Sequence, residues 1–213
     1  MVTTEALQLP KTRAPALPNY PAAYNQVHGS QLNNALRLYF NQLDNFISLL
    51  SASTVPYGSF ADTTDQTAVA NTATVMSFNT TDFASGVSIV TSGGYASRIT
   101  VTKAGIYNFQ WSGQFVNTDT QLHDASIWVR KNGTDVVGST GFISIPNRHG
   151  GVDGHGIYGW NFFFSLNAND YIELWWSTTN AAVSIQHYPV GTSPTRPSTS
   201  SLVATMAFVS ALP

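Results

Sequence analysis

The chain reads as mainly β: an antiparallel sandwich or jelly roll, preceded by a short helix and an extended N-terminal arm. Three observations predict this. The run GIYNFQWSGQF at 105–115 puts Tyr107, Phe109, Trp111, Gly113 and Phe115 on one face and Asn108, Gln110, Ser112 and Gln114 on the other. Strand side chains alternate with a period of two, so this is a strand with one dry face, and the four large aromatics on it need a second sheet to cover them. From about residue 54 onward, short apolar runs recur between turn residues. Residues 30–50 carry a different period, that of a helix.

Residues 1–29 form the first segment. Prolines at 10, 15, 18 and 21 exclude helix and favour extended chain, which stays disordered unless a partner surface holds it. Residues 30–53 form the second. Leu32, Leu36, Tyr39, Leu43, Phe46 and Leu50 are spaced 4, 3, 4, 3, 4, an a/d seam, with Ser30 as N-cap after the helix-averse Gly29. Leu38, Phe40, Ile47 and Leu49 widen the apolar surface. Two readings follow: a helix packed on its own domain, or a short self-associating stalk.

Residues 54–213 form the head. Strands are expected at 73–78, 87–91, 96–103, 106–116, 124–131, 134–139, 141–145, 156–165, 170–177, 181–188 and 201–210. Asn132-Gly133 marks a tight hairpin, Asn167, Asn169 and Asp170 mark a turn, and residues 192–197 read as a rigid exposed loop. Many short strands at this spacing indicate a sandwich rather than βαβ units.

Composition narrows the function. Only 9% of residues are charged, against a typical value of about 25%. Such a surface is either adhesive and extracellular in type or covered by other subunits, where charge is costly to desolvate. A net charge of −2 with scattered Lys and Arg argues against a nucleic-acid partner. The absence of cysteine removes thiol chemistry and cysteine zinc sites. The N-terminus does not read as a signal peptide, and no apolar stretch is long enough to span a bilayer, so no membrane partner is expected.

One cluster resembles a site. The glycine-rich stretch 150–156, flanked by His149 and containing Asp153 and His155, reads as an exposed loop, a partner-binding loop or a divalent-metal site. Asp62 and Asp65 read as turn residues. Glu173 is expected opposite Ile172, Leu174 and Trp176 on a strand, as a structural hydrogen-bond partner. Trp175, Trp176, Trp160, Tyr158 and Tyr188 line either a core or interface, or a sugar-binding surface. No nucleophile–base pair, paired acid and base, or phosphate loop is present, so no enzyme and no cofactor is expected.

Gly105-Ile-Tyr107-Asn-Phe109-Gln-Trp111 resembles the G-x-Y-x-F-x-aromatic signature of the globular heads of complement component one and the tumour necrosis factor group, and 166–174 (LNANDYIEL) resembles their later turn and strand. Here Asn169 replaces their usual glycine, no collagen repeat precedes the head, and the final strand reads SLVATMAF. The resemblance implies a ten-stranded jelly roll closing into a homotrimer, with the helix as its stalk. A second set of phrases resembles virion structural proteins of aquatic tailed phages: Tyr57-Gly-Ser-Phe60, Asp62 to Ala68, Phe78 to Asp82, Ser97 to Val101, Arg130 to Val136 and Pro194 to Pro197.

Together these imply a virion structural protein, made in the host cytoplasm and carried on the particle. Trimer contacts are expected at Leu36, Tyr39, Leu43 and Phe46 in the stalk and at Tyr107, Phe109 and Trp111 in or near the head core. Anchoring to capsid or tail proteins is expected at Leu9, Pro10, Pro18, Tyr20 and Tyr24. The alternative is a tail-fibre adhesin whose loops at 117–123 and 147–156 bind a host surface glycan.

Overall fold

A computed structural model describes residues 15–17, 19, 23, 26–52 and 55–212, with backbone alone for residues 46 and 48–52. The chain divides into two compact units, residues 1–54 and 55–213. In the first, helix α1 spans Gln26–Ala52. It starts four residues before Ser30, so Ser30 lies within the helix rather than capping it. Its only glycine, Gly29, costs about 1 kcal/mol relative to alanine, too little to stop a helix that gains Gln31, Leu32, Ala35 and Leu36 just beyond it. Leu36, Tyr39 and Leu43 are half-buried, whereas Leu38, Phe40 and Ile47 are exposed.

The second unit is built of antiparallel strands. In chain order they begin with β1 (Tyr57–Asp62), β2 (Gln66–Thr67), β3 (Thr74–Val75), β4 (Thr80–Ser85) and β5 (Val87–Ser92). Next come β6 (Tyr95–Val101), β7 (Gly105–Asn117), β8 (His123–Lys131), β9 (Thr134–Asp135) and β10 (Gly141–Ile145). The last are β11 (Gly154–Leu166), β12 (Tyr171–Thr178), β13 (Val183–Ile185), β14 (Gly191–Thr192), β15 (Thr195–Arg196) and β16 (Leu202–Ser210).

They make two larger sheets and the small β14–β15 hairpin. The first sheet runs β2-β13-β7-β16-β1-β4, with β11 on the free side of β7. The second runs β10-β8-β12-β6-β5, with β3 on β12 and β9 on β8. The inner faces share one apolar core, giving a β-sandwich-like body. Phe60, Tyr107, Phe109, Phe115 and Met206 of the first sheet meet Ile99, Ile127, Val129, Leu174 and Trp176 of the second.

Strand β7 carries the expected alternation: Tyr107, Phe109, Trp111 and Phe115 are buried, while Asn108, Gln110, Ser112 and Gln114 lie on the more open face. Phe115 meets Trp176 of the opposite sheet edge-on at 5.9 Å between ring centroids. Burying such a side chain contributes roughly 1.5–3 kcal/mol. The Tyr107 hydroxyl donates to the Lys103 carbonyl at 2.8 Å, and burial pushes its pKa up to about 12. The ring therefore stays neutral in the core.

Two turns show how the sequence sets the register. Asn132 and Gly133, with φ of 50° and 80°, close the β8–β9 hairpin as expected. Gly86, at φ 67°, is the single residue between β4 and β5. It carries the chain from an edge of one sheet to an edge of the other. A Cβ there would press on Pro56 and on Thr102 Oγ1, both at 3.1 Å, so the corner requires glycine.

The strands expected at 73–78, 134–139 and 181–188 shorten to β3, β9 and β13, and other segments differ as well. Strand β1 lies inside the sheet between β16 and β4, buried at five of its six positions, so no alternation marks it. Strand β4 is an exposed, polar edge that reads as a turn. Asp62 is buried and accepts hydrogen bonds from Thr64, Gln66 and Ser201, so it organises a junction rather than an exposed loop. Thr192 and Thr195 are paired in the β14–β15 hairpin within the expected rigid loop.

Candidate functional site

The feature that stands out is one uncovered side of the head. Strand β11 pairs with β7 over thirteen residues, from Gly154↔Asn117 to Leu166↔Gly105, without a register shift. Among the described residues no other strand pairs with it. Strand β10 is likewise the edge of the opposite sheet, and the Trp160 ring packs against its Gly141, where a Cβ would sit 3.2 Å from the ring.

This side is apolar. Relative exposures are 80% for Phe142, 69% for Ile157, 62% for Phe163 and 47% for Trp160. Rings on alternate residues of β11 connect it to the core: Trp160 to Phe162 at 4.9 Å, Phe162 to Phe164 at 5.8 Å, and Phe164 to Phe109 at 6.3 Å. Neither edge strand holds Lys, Arg, Asp, Glu or Pro. Natural edges are usually blunted by charge, proline or bulges. Strands β10 and β11 carry no such blunting, and their exposed side chains form an apolar surface.

The residues expected to make trimer contacts separate into two sets. Tyr107, Phe109 and Trp111 are buried in the head's own core. They pack in one apolar cluster with side chains of the second sheet, which places them in the head core. On α1, Leu36, Tyr39 and Leu43 are half-exposed, and the Phe46 side chain lies outside the described residues. Leu9, Pro10, Pro18, Tyr20 and Tyr24 also lie outside them.

The glycine-rich stretch is more ordered in form than the sequence implies. His149 and Val152 exchange backbone hydrogen bonds of 2.9 and 3.0 Å around Gly150 and Gly151, whose φ values are 59° and 85°. Paired positive φ angles make a tight hairpin turn. His155 belongs to β11, in register with Val116. The side chains do not converge: Asp153 pairs with Arg148 at 3.3 Å, and His155 Nδ1 lies 3.2 Å from the Tyr188 hydroxyl. Burial, then the negative charges of Asp153 and Asp65, raises the Tyr188 pKa. Among the described residues, no three His, Asp or Glu groups come together as a metal would require.

The two loops at this end are tied together. Arg148 N–H donates to the Asp119 carbonyl at 2.6 Å, and Asn147 Nδ2 to the Thr120 carbonyl at 3.0 Å. The buried Asn117 braces them by donating to the Gln121 carbonyl and accepting from Asp119 N–H. Asp119 meets His123 Nε2 at 2.8 Å, and that bond holds its carboxyl below the usual range. Glu173 is buried on the outer face of β12, accepting from Ser97 and Arg98. It is engaged structurally, opposite Ile172, Leu174 and Trp176 as the alternation predicts.

A scan against protein-family models finds no match, and a search of curated proteins finds none either. Among the described residues, no helix is long and apolar enough to cross a membrane.

Proposed function

We propose that the chain is a non-enzymatic structural protein of a tailed-phage virion: a homotrimeric jelly-roll knob carried on a short helical stalk and anchored by its N-terminal arm. One observation carries the assembly half of this reading. The β10–β11 side exposes Phe142, Ile157, Trp160 and Phe163 on uncharged edges, and a closed rotational assembly of identical chains would cover each such side once. Ten of the strands are five residues or longer, which supports a jelly-roll count. The half-exposed Leu36, Tyr39 and Leu43 seam on α1 supports a three-helix stalk. The virion assignment rests on the phrases quoted from the head and on the proline-rich arm. Three arms per trimer would multiply weak anchoring contacts through effective concentration.

A second reading has its own support. The 117–123 and 147–156 loops are braced into one end surface, the kind of rigid platform on which a tail-fibre adhesin would present a glycan site. Deleting residues 1–29 tests the anchor. The truncated protein should remain a folded trimer yet be absent from particles, and retention on particles would defeat the docking arm. Purified head should leave infection unaffected under the first reading and block it under the second.

A further inference from the structure

Strand β12 presents Tyr171, Glu173 and Trp175 on the outer face of the second sheet, away from the core. Its register places Glu173 opposite Arg130 of β8 and Trp175 opposite Trp128. On the other side Tyr171 pairs with Thr100 and Ile172 with Ile99 of β6, so the next antiparallel step brings Arg98 beside Glu173. Arg98 Nε donates to Glu173 Oε1 at 3.3 Å. Arg98, Glu173 and Arg130 therefore stand abreast on three neighbouring strands, with a carboxylate between two guanidinium groups.

Both guanidinium groups sit over aromatic rings. Arg98 Cζ lies 4.3 Å from the centroid of Tyr171, and Arg130 Cζ 3.8 Å from that of Trp175. Arg130 Nε is tied to Asp135, which also accepts from Trp128 Nε1 at 2.8 Å. The described hydrogen bonds of both arginines run through Nε, leaving unclaimed the terminal Nη pair that can clamp a carboxylate. Glu173 uses Oε1 for Ser97 and Arg98, with no described bond at Oε2. An open depression of about 500 Å³ lies over this row, bordered by Tyr95, whose ring is exposed. That volume is of small-ligand size.

We propose that this depression binds a saccharide bearing a carboxylate, of the uronic-acid type. Stacking and Nε tethers preorganise the two arginines, so little side-chain freedom is lost on binding. A ligand carboxylate takes the Nη edge of an arginine. Glu173 in the middle repels a bare anion and accepts a hydroxyl, so the ligand must carry both groups on one small frame. The flat face of Tyr95 suits the apolar face of a sugar ring. The site lies on β6, β8 and β12, apart from the β10–β11 side, so a monomeric head would bind equally well.

The test uses the full chain, titrated calorimetrically and by ¹⁵N NMR with methyl glucuronide, methyl glucoside and inorganic sulfate. The glucuronide should bind and move the Arg98 and Arg130 Nε signals, with glucoside and sulfate each at least about tenfold weaker, the loss of one strong polar contact. Arg130→Gln should lose the glucuronide by about the same factor. Glu173→Gln, which keeps the shape of the row, should raise sulfate affinity severalfold and shrink the discrimination against it. Three results would overturn the proposal: no glucuronide binding at tens of millimolar, equal binding of glucoside, or binding untouched in folded Arg130→Gln. A purely structural row would give a lower melting temperature in Glu173→Gln with no change in anion selectivity.

Discussion

The two lateral sides of the head are built differently. On one, β4 passes through Gly86 directly into β5, so the chain itself joins the edges of the two sheets. Both edge pairings there are bulged, at Ser59/Phe60 and at Val90/Thr91, and β4 carries Asp82. On the other, β10 and β11 are uncharged, β11 runs straight in register for thirteen residues, and aromatic rings lead from the core to the surface. Bulges and charge discourage edge pairing, whereas flat apolar edges invite cover. The first side is finished within one chain. The second is left open within one chain.

Four substitutions test the contrast between the two sides. Phe109→Ala removes a ring from the core that both sides share. It should cost about 3–5 kcal/mol, read as a lower denaturant midpoint with the side contrast lost. Trp160→Glu should leave the head folded but weaken self-association about 100-fold, roughly 2.7 kcal/mol, measured by sedimentation across a dilution series. Phe83→Glu on the closed side, at a residue that is 62% exposed, should change association less than twofold, within the ordinary range of surface substitutions. Gly86→Val forces a β-branched residue to positive φ against Pro56 and Thr102. It should cost about 1–3 kcal/mol and lower the melting temperature without changing the number of subunits that associate.

A pH effect arises at the turn that follows the open edge. Asp170 closes the turn leading out of β11. Burial alone would raise its pKa, but bonds from Asn167 N–H, Asn132 and Lys131 outweigh it and lower the pKa from 3.8. A carboxyl whose folded pKa is depressed contributes stability above its unfolded pKa and loses it as pH falls through the folded value. Melting temperature should therefore drop below about pH 4, and Asp170→Asn should flatten that part of the profile while lowering stability slightly at neutral pH.

Where one face is wet and one dry, the fold was legible in the sequence. Strand β7 and the Ile172, Leu174, Trp176 face of β12 read directly from their alternation. Strand β1 did not, because it is buried on both faces, and β4 did not, because a polar exposed edge has the composition of a turn. The 150–156 glycines signalled flexibility, yet positive φ at Gly150 and Gly151 builds a hairpin instead.

The candidate sites were less legible because they depend on which strands become neighbours. Arg98 is 75 residues from Glu173 in the chain, and no local pattern joins them. Trp160 was visible as an aromatic, but its exposure follows from β11 being the outermost strand, a property of sheet order. Tyr107, Phe109 and Trp111 looked equally suited to a core and to a subunit contact until the second sheet was placed over them.

On the proposed reading, a second and third copy of this chain complete the open side. Sedimentation velocity of the purified full chain at micromolar concentration tests it most directly. A single species at three times the monomer mass is expected, reverting to monomer in Trp160→Glu. A wild-type chain that sediments as a monomer would contradict it.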